Sequence, residues 1–200
     1  MGTIKTTNIE PIANNGTVTL GSSGDTFTVP SGVTVNMSSA TQTGVGGTNT
    51  PAWSVNLNAS QGITNVTYTK IQFDRESVDT DNSYDNSTNY RWTCPSGQAG
   101  KYFIFSNLFL DSDGSGQFEY GWLQFRKNGS AFADSFIDCR DNNGTKFTVS
   151  HSFINDVAVG DYYEVFAYIS DTSGNPRIIG GAAGSNDEAT SNFGGYKIIT

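Results

Sequence analysis

Apolar and polar residues alternate in short bursts along this chain, at the period of a β-strand and never for long at that of a helix. From Gly16 to Val35 (GTVTLGSSGDTFTVPSGVTV) the apolar side chains fall in three alternating pairs, Val18 and Leu20, Phe27 and Val29, Val33 and Val35. Gly21-Ser22-Ser23-Gly24 and Pro30-Ser31-Gly32 separate the pairs, so the pattern predicts three short strands joined by turns. Burying two apolar side chains per strand, at roughly 25 cal/mol per Å² of apolar area, does not offset the entropy of ordering about twenty residues. By itself this arm is expected to lack a fold and to borrow its cover from other chains. Ile4 and Ile9 are counted with its anchoring side chains.

The chain is read as an arm over 1–37, a Gly/Ser/Thr linker over 38–50 and a domain over 51–200. In the domain, Ile71 and Phe73 alternate ahead of an acidic, polar loop, DTDNSYDNSTN. Lys101 to Leu110 (KYFIFSNLFL) is almost continuously apolar, which predicts a strand buried on both faces. Phe118, Tyr120, Trp122 and Leu123 lead to Asn128-Gly129, a hairpin signal, and a further turn is read at Asn143-Gly144. In DYYEVFAYIS, Tyr163, Val165, Ala167 and Ile169 share one face, and Tyr162, Phe166 and Tyr168 share the other. FGGYKIIT is the last strand. Eight to ten strands with such turns predict an all-β sandwich or jelly roll.

Composition fits this reading: Gly is abundant, at 23 residues, and the core must be built from Phe and Tyr. The net charge of -8, with 11 scattered basic residues, argues against nucleic acid as a partner. No apolar run is long enough to cross a bilayer, and MGTIKTTNIEP lacks the apolar centre of a secretory signal. Gly2 and Thr6 stand in the register of a myristoylation site, but no other membrane-binding feature accompanies them. No membrane partner is expected. Cys94 and Cys139, with the single His151, do not make a zinc site and are read as reduced, partly buried thiols.

From Pro51 onward the order of motifs resembles the C1q-like domain and its tumour-necrosis-factor-like relatives. The resemblance rests on Pro51-Ala52-Trp53-Ser54-Val55, Phe73-Asp74, Tyr84-Asp85, Tyr90-Arg91-Trp92-Thr93-Cys94-Pro95 and Gly100-Lys101-Tyr102-Phe103. It continues in Arg126-Lys127-Asn128-Gly129, Val159-Gly160-Asp161-Tyr162-Tyr163-Glu164-Val165 and Ser191-Asn192-Phe193-Gly194-Gly195-Tyr196. Gln98-Ala99 departs from the pattern by lengthening the turn before Gly100. The resemblance implies a jelly-roll homotrimer with aromatic residues near the threefold axis, an expectation carried onto Tyr102, Phe103, Phe105, Phe193 and Tyr196. Trp53, which opens the domain, is expected to face a trimer partner. The first fifty residues resemble segments of bacteriophage and marine-virus appendage proteins.

Several residues are candidates for chemistry. His151 lies among apolar neighbours without the nucleophile and orienter of a triad, and reads as a strand histidine. Asp74 and Glu76, two apart, would share a strand face at the spacing of a glycosidase pair, but read as a solvated face. Calcium candidates are Asp111 and Asp113 in DSDGSG and Asp79, Asp81 and Asp85 in the acidic loop. Trp92 and Trp122, within strand patterns, read as core. The chain is therefore expected to be non-enzymatic and to need no cofactor, calcium being the one candidate. The expected function is that of a bacteriophage virion protein made in the host cytoplasm. It would be a trimeric capsid decoration protein, of cement or head-fibre type, whose arm grips the major capsid protein or another virion protein. The alternative is a tail-fibre knob or adhesin that binds a host-surface glycan or protein.

Overall fold

The computed structural model describes residues 19, 21–35, 50–113, 116–141, 144–172, 174–181 and 191–198. The chain divides into two units, Met1–Val45 and Gly46–Thr200. In the first unit both predicted turns form. The Asp25 amide donates to the Ser22 carbonyl at 3.0 Å, and the Val33 amide to the Pro30 carbonyl at 3.2 Å. Gly24 and Gly32 take φ of 94° and 84°, which a residue with a Cβ adopts only under strain. The strands expected on either side do not form among the described residues. Phe27 is 71% exposed, and Val29, Val33 and Val35 are exposed as well. Ile4, Ile9, Val18 and Leu20 lie outside the described residues.

The second unit is all-β among the described residues. Its strands are β1 (Ala52–Asn56), β2 (Gln61–Gly62), β3 (Thr69–Lys70), β4 (Arg75–Asp79), β5 (Tyr84–Asp85), β6 (Arg91–Thr93), β7 (Gly100–Asp111), β8 (Phe118–Lys127), β9 (Ser130–Asp138), β10 (Lys146–Val157), β11 (Tyr162–Asp171), β12 (Arg177–Ile178) and β13 (Asn192–Lys197). Every pairing between them is antiparallel. One sheet runs β2-β12-β7-β13-β1-β4 with β10 also on β7; the other runs β5-β6-β11-β8-β9 with β3 also on β11. No helix among the described residues is long and apolar enough to cross a membrane.

Alternation sorts β7 cleanly. Tyr102, Ile104, Ser106, Leu108 and Leu110 point inward and are buried, whereas Phe103, Phe105, Asn107 and Phe109 are only half-buried on the outside. Its continuous apolar run therefore does not mark burial on both faces. One set of side chains fills the core and the other furnishes an outward face. In β8, Leu123 and Phe125 point inward while Tyr120 and Trp122 point outward, so Trp122 is not a core residue. Phe118, of the same parity as Trp122, is nonetheless 1% exposed. The register against β11 slips by one residue, from Tyr120 opposite Ser170 to Phe118 opposite Asp171, and this bulge turns Phe118 inside.

The interior is held by a stack that bridges the sheets. Trp53 of β1 lies on Trp92 of β6 with ring centroids 4.1 Å apart and planes 5° apart. Tyr102 packs at 4.9 Å from Trp92, and Phe193 meets Trp53 edge-on at 5.8 Å. The longer turn at Gln98-Ala99 serves this core: the Gln98 carbonyl accepts the Tyr102 hydroxyl at 2.6 Å. Cys94 and Cys139 are both buried free thiols, and burial raises the pKa of each.

The Asn128-Gly129 hairpin forms as predicted, with φ of 53° and 81°. It is clamped to the Val159-Gly160-Asp161 turn. Asn128 exchanges bonds with Tyr162, its amide donating to the Tyr162 carbonyl at 3.0 Å and its Oδ1 accepting the Tyr162 amide at 2.9 Å. The Asp161 carboxylate accepts from Asn128 Nδ2 at 2.8 Å and from the Ala158 amide at 3.0 Å, and pairs with Lys127 at 2.8 Å. Partial burial by itself raises the Asp161 pKa, but Lys127, Asn128 and the Ala158 amide outweigh it and hold the group at about 2. A depressed carboxylate stabilises the fold above its unfolded pKa and loses that contribution as pH falls toward the folded value. Unfolding free energy is therefore expected to drop by about 1–2 kcal/mol between pH 5 and pH 2 on this account, allowing for solvent screening. Urea titrations of the wild type and Asp161→Asn across that range check it; the variant should lack this part of the pH dependence.

Candidate functional site

The outer face of the β10-β7-β13-β1 sheet gathers apolar side chains that no other sheet among the described residues covers. Across the register, Ile154, Phe103, Tyr196 and Ala52 form one row and Ser152, Phe105, Gly194 and Ser54 the next. Phe103 lies 6.0 Å from Phe105 and 5.5 Å from Tyr196, ring centre to ring centre. Ile154 is 62% exposed and Tyr196 40%. Glycine at 194 is what lets the Phe105 ring settle on the sheet, since a Cβ there would stand 2.6 Å from that ring. Beside these rows is a shallow depression of about 650 Å³ lined by Phe103, Phe105, Ser106, Asn107, Ser150, His151 and Ser152. Ser150 donates to Asn107 Oδ1 at 2.6 Å across its floor.

Of the six aromatic residues expected at a subunit interface, Phe103, Phe105 and Tyr196 stand on this outer face. Trp53 at 2% exposure, Tyr102 at 0% and Phe193 at 0% do not; they are interior, because their parity in β1, β7 and β13 points them at the opposite sheet. Ile154 belongs to the face and was missed, although its alternation with Ser152 in β10 was legible once β10 was known to lie against β7.

The opposite sheet also presents aromatic rings to solvent. Tyr168 of β11, Trp122 of β8 and Phe136 of β9 lie directly across from one another in the ladder. Their rings touch in sequence, Trp122 at 5.2 Å from Tyr168 and 4.3 Å from Phe136, and Tyr68 extends the row at 5.1 Å from Tyr168.

The acidic candidates are occupied by the protein itself. Asp85 accepts from the amides of Thr88 at 2.9 Å and of Ser87 and Asn89 at 3.1 Å, which hold its pKa well below the usual carboxylate range. Asp79 caps the Ser83 and Tyr84 amides at 3.1 and 2.9 Å, and Asp81 accepts the Thr80 hydroxyl at 2.8 Å. Buried Asp111 receives Arg177 through Nε at 2.9 Å and through a second guanidinium nitrogen at 2.8 Å. Asp113 takes the remaining Arg177 nitrogen at 2.6 Å. Among the described residues no group of three or more His, Cys, Asp or Glu is placed to hold a metal ion. His151 is half-buried against Phe125 and Phe153, at 6.1 Å from each. Asp74 accepts the Asn58 amide at 2.7 Å and lies just before β4, whereas Glu76 lies within it.

No family model matches the chain. No curated protein matches it. Among solved structures, the fold is similar to that of Eiger TNF from S. frugiperda, with a TM-score of 0.56 and 8% identity over 76% of this chain and 94% of that one. It is also similar to the globular domain of the zebrafish complement 1qA protein, with a TM-score of 0.49 and 15% identity over 74% of this chain and 98% of that one. The likeness to Eiger TNF shows a jelly roll of that type.

Proposed function

We propose that this chain is a non-enzymatic structural protein of a bacteriophage virion, a homotrimer that decorates the capsid. Three copies associate through the outer face of the β10-β7-β13-β1 sheet, and the N-terminal arm grips the major capsid protein or another virion protein. One observation carries the reading: Phe103, Phe105, Tyr196 and Ile154 form an apolar patch on a sheet face that no other described residue covers. A closed ring of three such faces removes the patch from water, and a threefold symmetric object suits a local threefold of a shell. The arm supports the virion assignment, because Phe27, Val29, Val33 and Val35 are exposed apolar side chains that a partner could cover.

Sedimentation equilibrium of the intact chain is expected to give the mass of three chains. Phe105→Asp with Ile154→Asp should bring it to one, with the far-UV spectrum unchanged, since neither side chain enters the core. A wild-type monomer would overturn the trimer. Placement is tested by counting copies per particle: many hundreds fit a shell, and a few dozen fit the second reading, a tail-fibre knob or adhesin that binds a host-surface glycan or protein. The outward aromatic row of Tyr68, Tyr168, Trp122 and Phe136 is the observation that favours this second reading.

A further inference from the structure

The geometry points to a binding track for a neutral, linear oligosaccharide on the outer face of the β11-β8-β9 sheet, along Tyr68, Tyr168, Trp122 and Phe136. The row crosses the strands at right angles, so successive rings are spaced by about one interstrand distance, ~4.8 Å. That is close to the length of one pyranose unit. Phe136 is 48% exposed and Tyr68 37%. Trp122 is fixed between neighbours, with Tyr120 edge-on at 5.4 Å and Tyr168 edge-on at 5.2 Å, so little side-chain freedom remains to be lost on binding.

What flanks the row decides the chemistry of the occupant. On one side the ladder places Phe166, Gln124 and Asp134, and on the other Ser170, Tyr120 and Asp138. A sugar chain has this same section: apolar C–H faces that stack on rings, with hydroxyls projecting to both sides. The nearby cations are already engaged. Arg140 Nε binds Asp138 at 3.0 Å, while Arg126 Nε binds Gln124 at 3.0 Å and its guanidinium lies 3.7 Å over the Phe166 ring. An anionic ligand would have to displace those partners, so an uncharged one fits better. A protein partner fits less well, because the row is bordered by Asp134 and Asp138 and by the guanidinium groups of Arg126 and Arg140, and charged residues are depleted at the core of protein interfaces.

This inference does not depend on trimerisation or on placement in a virion. The test titrates the intact chain with cellotetraose, maltotetraose, chitotetraose and mannotetraose, read by tryptophan emission and saturation-transfer NMR. Emission is a local probe here, since Trp53 and Trp92 are 2% and 0% exposed and Trp122 alone of the three faces solvent. At least one tetrasaccharide should give a saturable response with a Kd of about millimolar or tighter. Trp122→Ala and Phe136→Ala should weaken it tenfold or more, and Val159→Ala, at an exposed site off this face, should not. If Trp122→Ala fails to fold, Phe136→Ser and Tyr68→Ser, at exposed positions, carry the test. No response to any of the four sugars up to about 20 mM would overturn the proposal. So would a change in sedimented mass in the Phe136 or Tyr68 variants, which would make the row a protein contact. Sedimentation of the wild type reports separately on the trimer.

Discussion

Trp92→Ala is expected to lower the unfolding free energy by about 3–5 kcal/mol, read as a fall in the urea midpoint at constant slope. In a domain of this size that corresponds to roughly 10 °C or more in Tm. The indole is 0% exposed and holds the two sheets together through Trp53 at 4.1 Å, with Tyr102 at 4.9 Å and Tyr163 at 6.3 Å around it. Deletion opens a cavity bounded by large, rigid rings that cannot collapse into it. Trp92→Phe should cost much less, about 1–2 kcal/mol. Its ring retains part of the stack, and the lost Nε1–H has no acceptor among the described residues, so no hydrogen bond goes with it. Equal losses in the two variants would mean that the stack is not what the core depends on.

Gly195→Ala is expected to cost about 1–3 kcal/mol, and Gly195→Val more. A Cβ at this position would stand 2.5 Å from Trp53 Cη2 and 2.7 Å from the Phe103 carbonyl oxygen. The ring is fixed by its stack on Trp92 and the carbonyl by the β7-β13 ladder, so neither neighbour can yield cheaply. Gly62→Ala is the matched control, because a Cβ there meets nothing within 4 Å. Urea midpoints of the two alanine variants measured side by side decide the matter; similar values would show that the β13 backbone relaxes freely.

The strands of this fold were legible wherever turn chemistry fixed them. Asn128-Gly129 announced its hairpin, and the alternation from Tyr162 to Ile169 separated its two faces correctly. Which face meets the core was less legible, and the reason is physical. A period of two says which side chains share a face, but both faces of β7 and β8 carry aromatic rings, so hydrophobicity does not distinguish inside from outside. Trp53 and Trp122 were exchanged in this way: the first was expected outside and stacks in the core, the second was expected in the core and faces solvent. Phe118 obeyed neither parity because of a bulge that local sequence does not reveal. The outer patch was half visible, through Phe103, Phe105 and Tyr196. Ile154 stayed hidden, since only the tertiary pairing of β10 with β7 brings it there.

The place of β13 in the sheet has a consequence for synthesis. It lies between β7 and β1, so a strand made after both of its neighbours fills a central slot. Until it arrives, β1 and β7 have no ladder to join them, and the Trp53 ring lacks Phe193 beside it. The nascent domain therefore waits with two open strand edges and cannot close in stages. Such a topology closes only after β13 has been made, and is most exposed to aggregation during that wait.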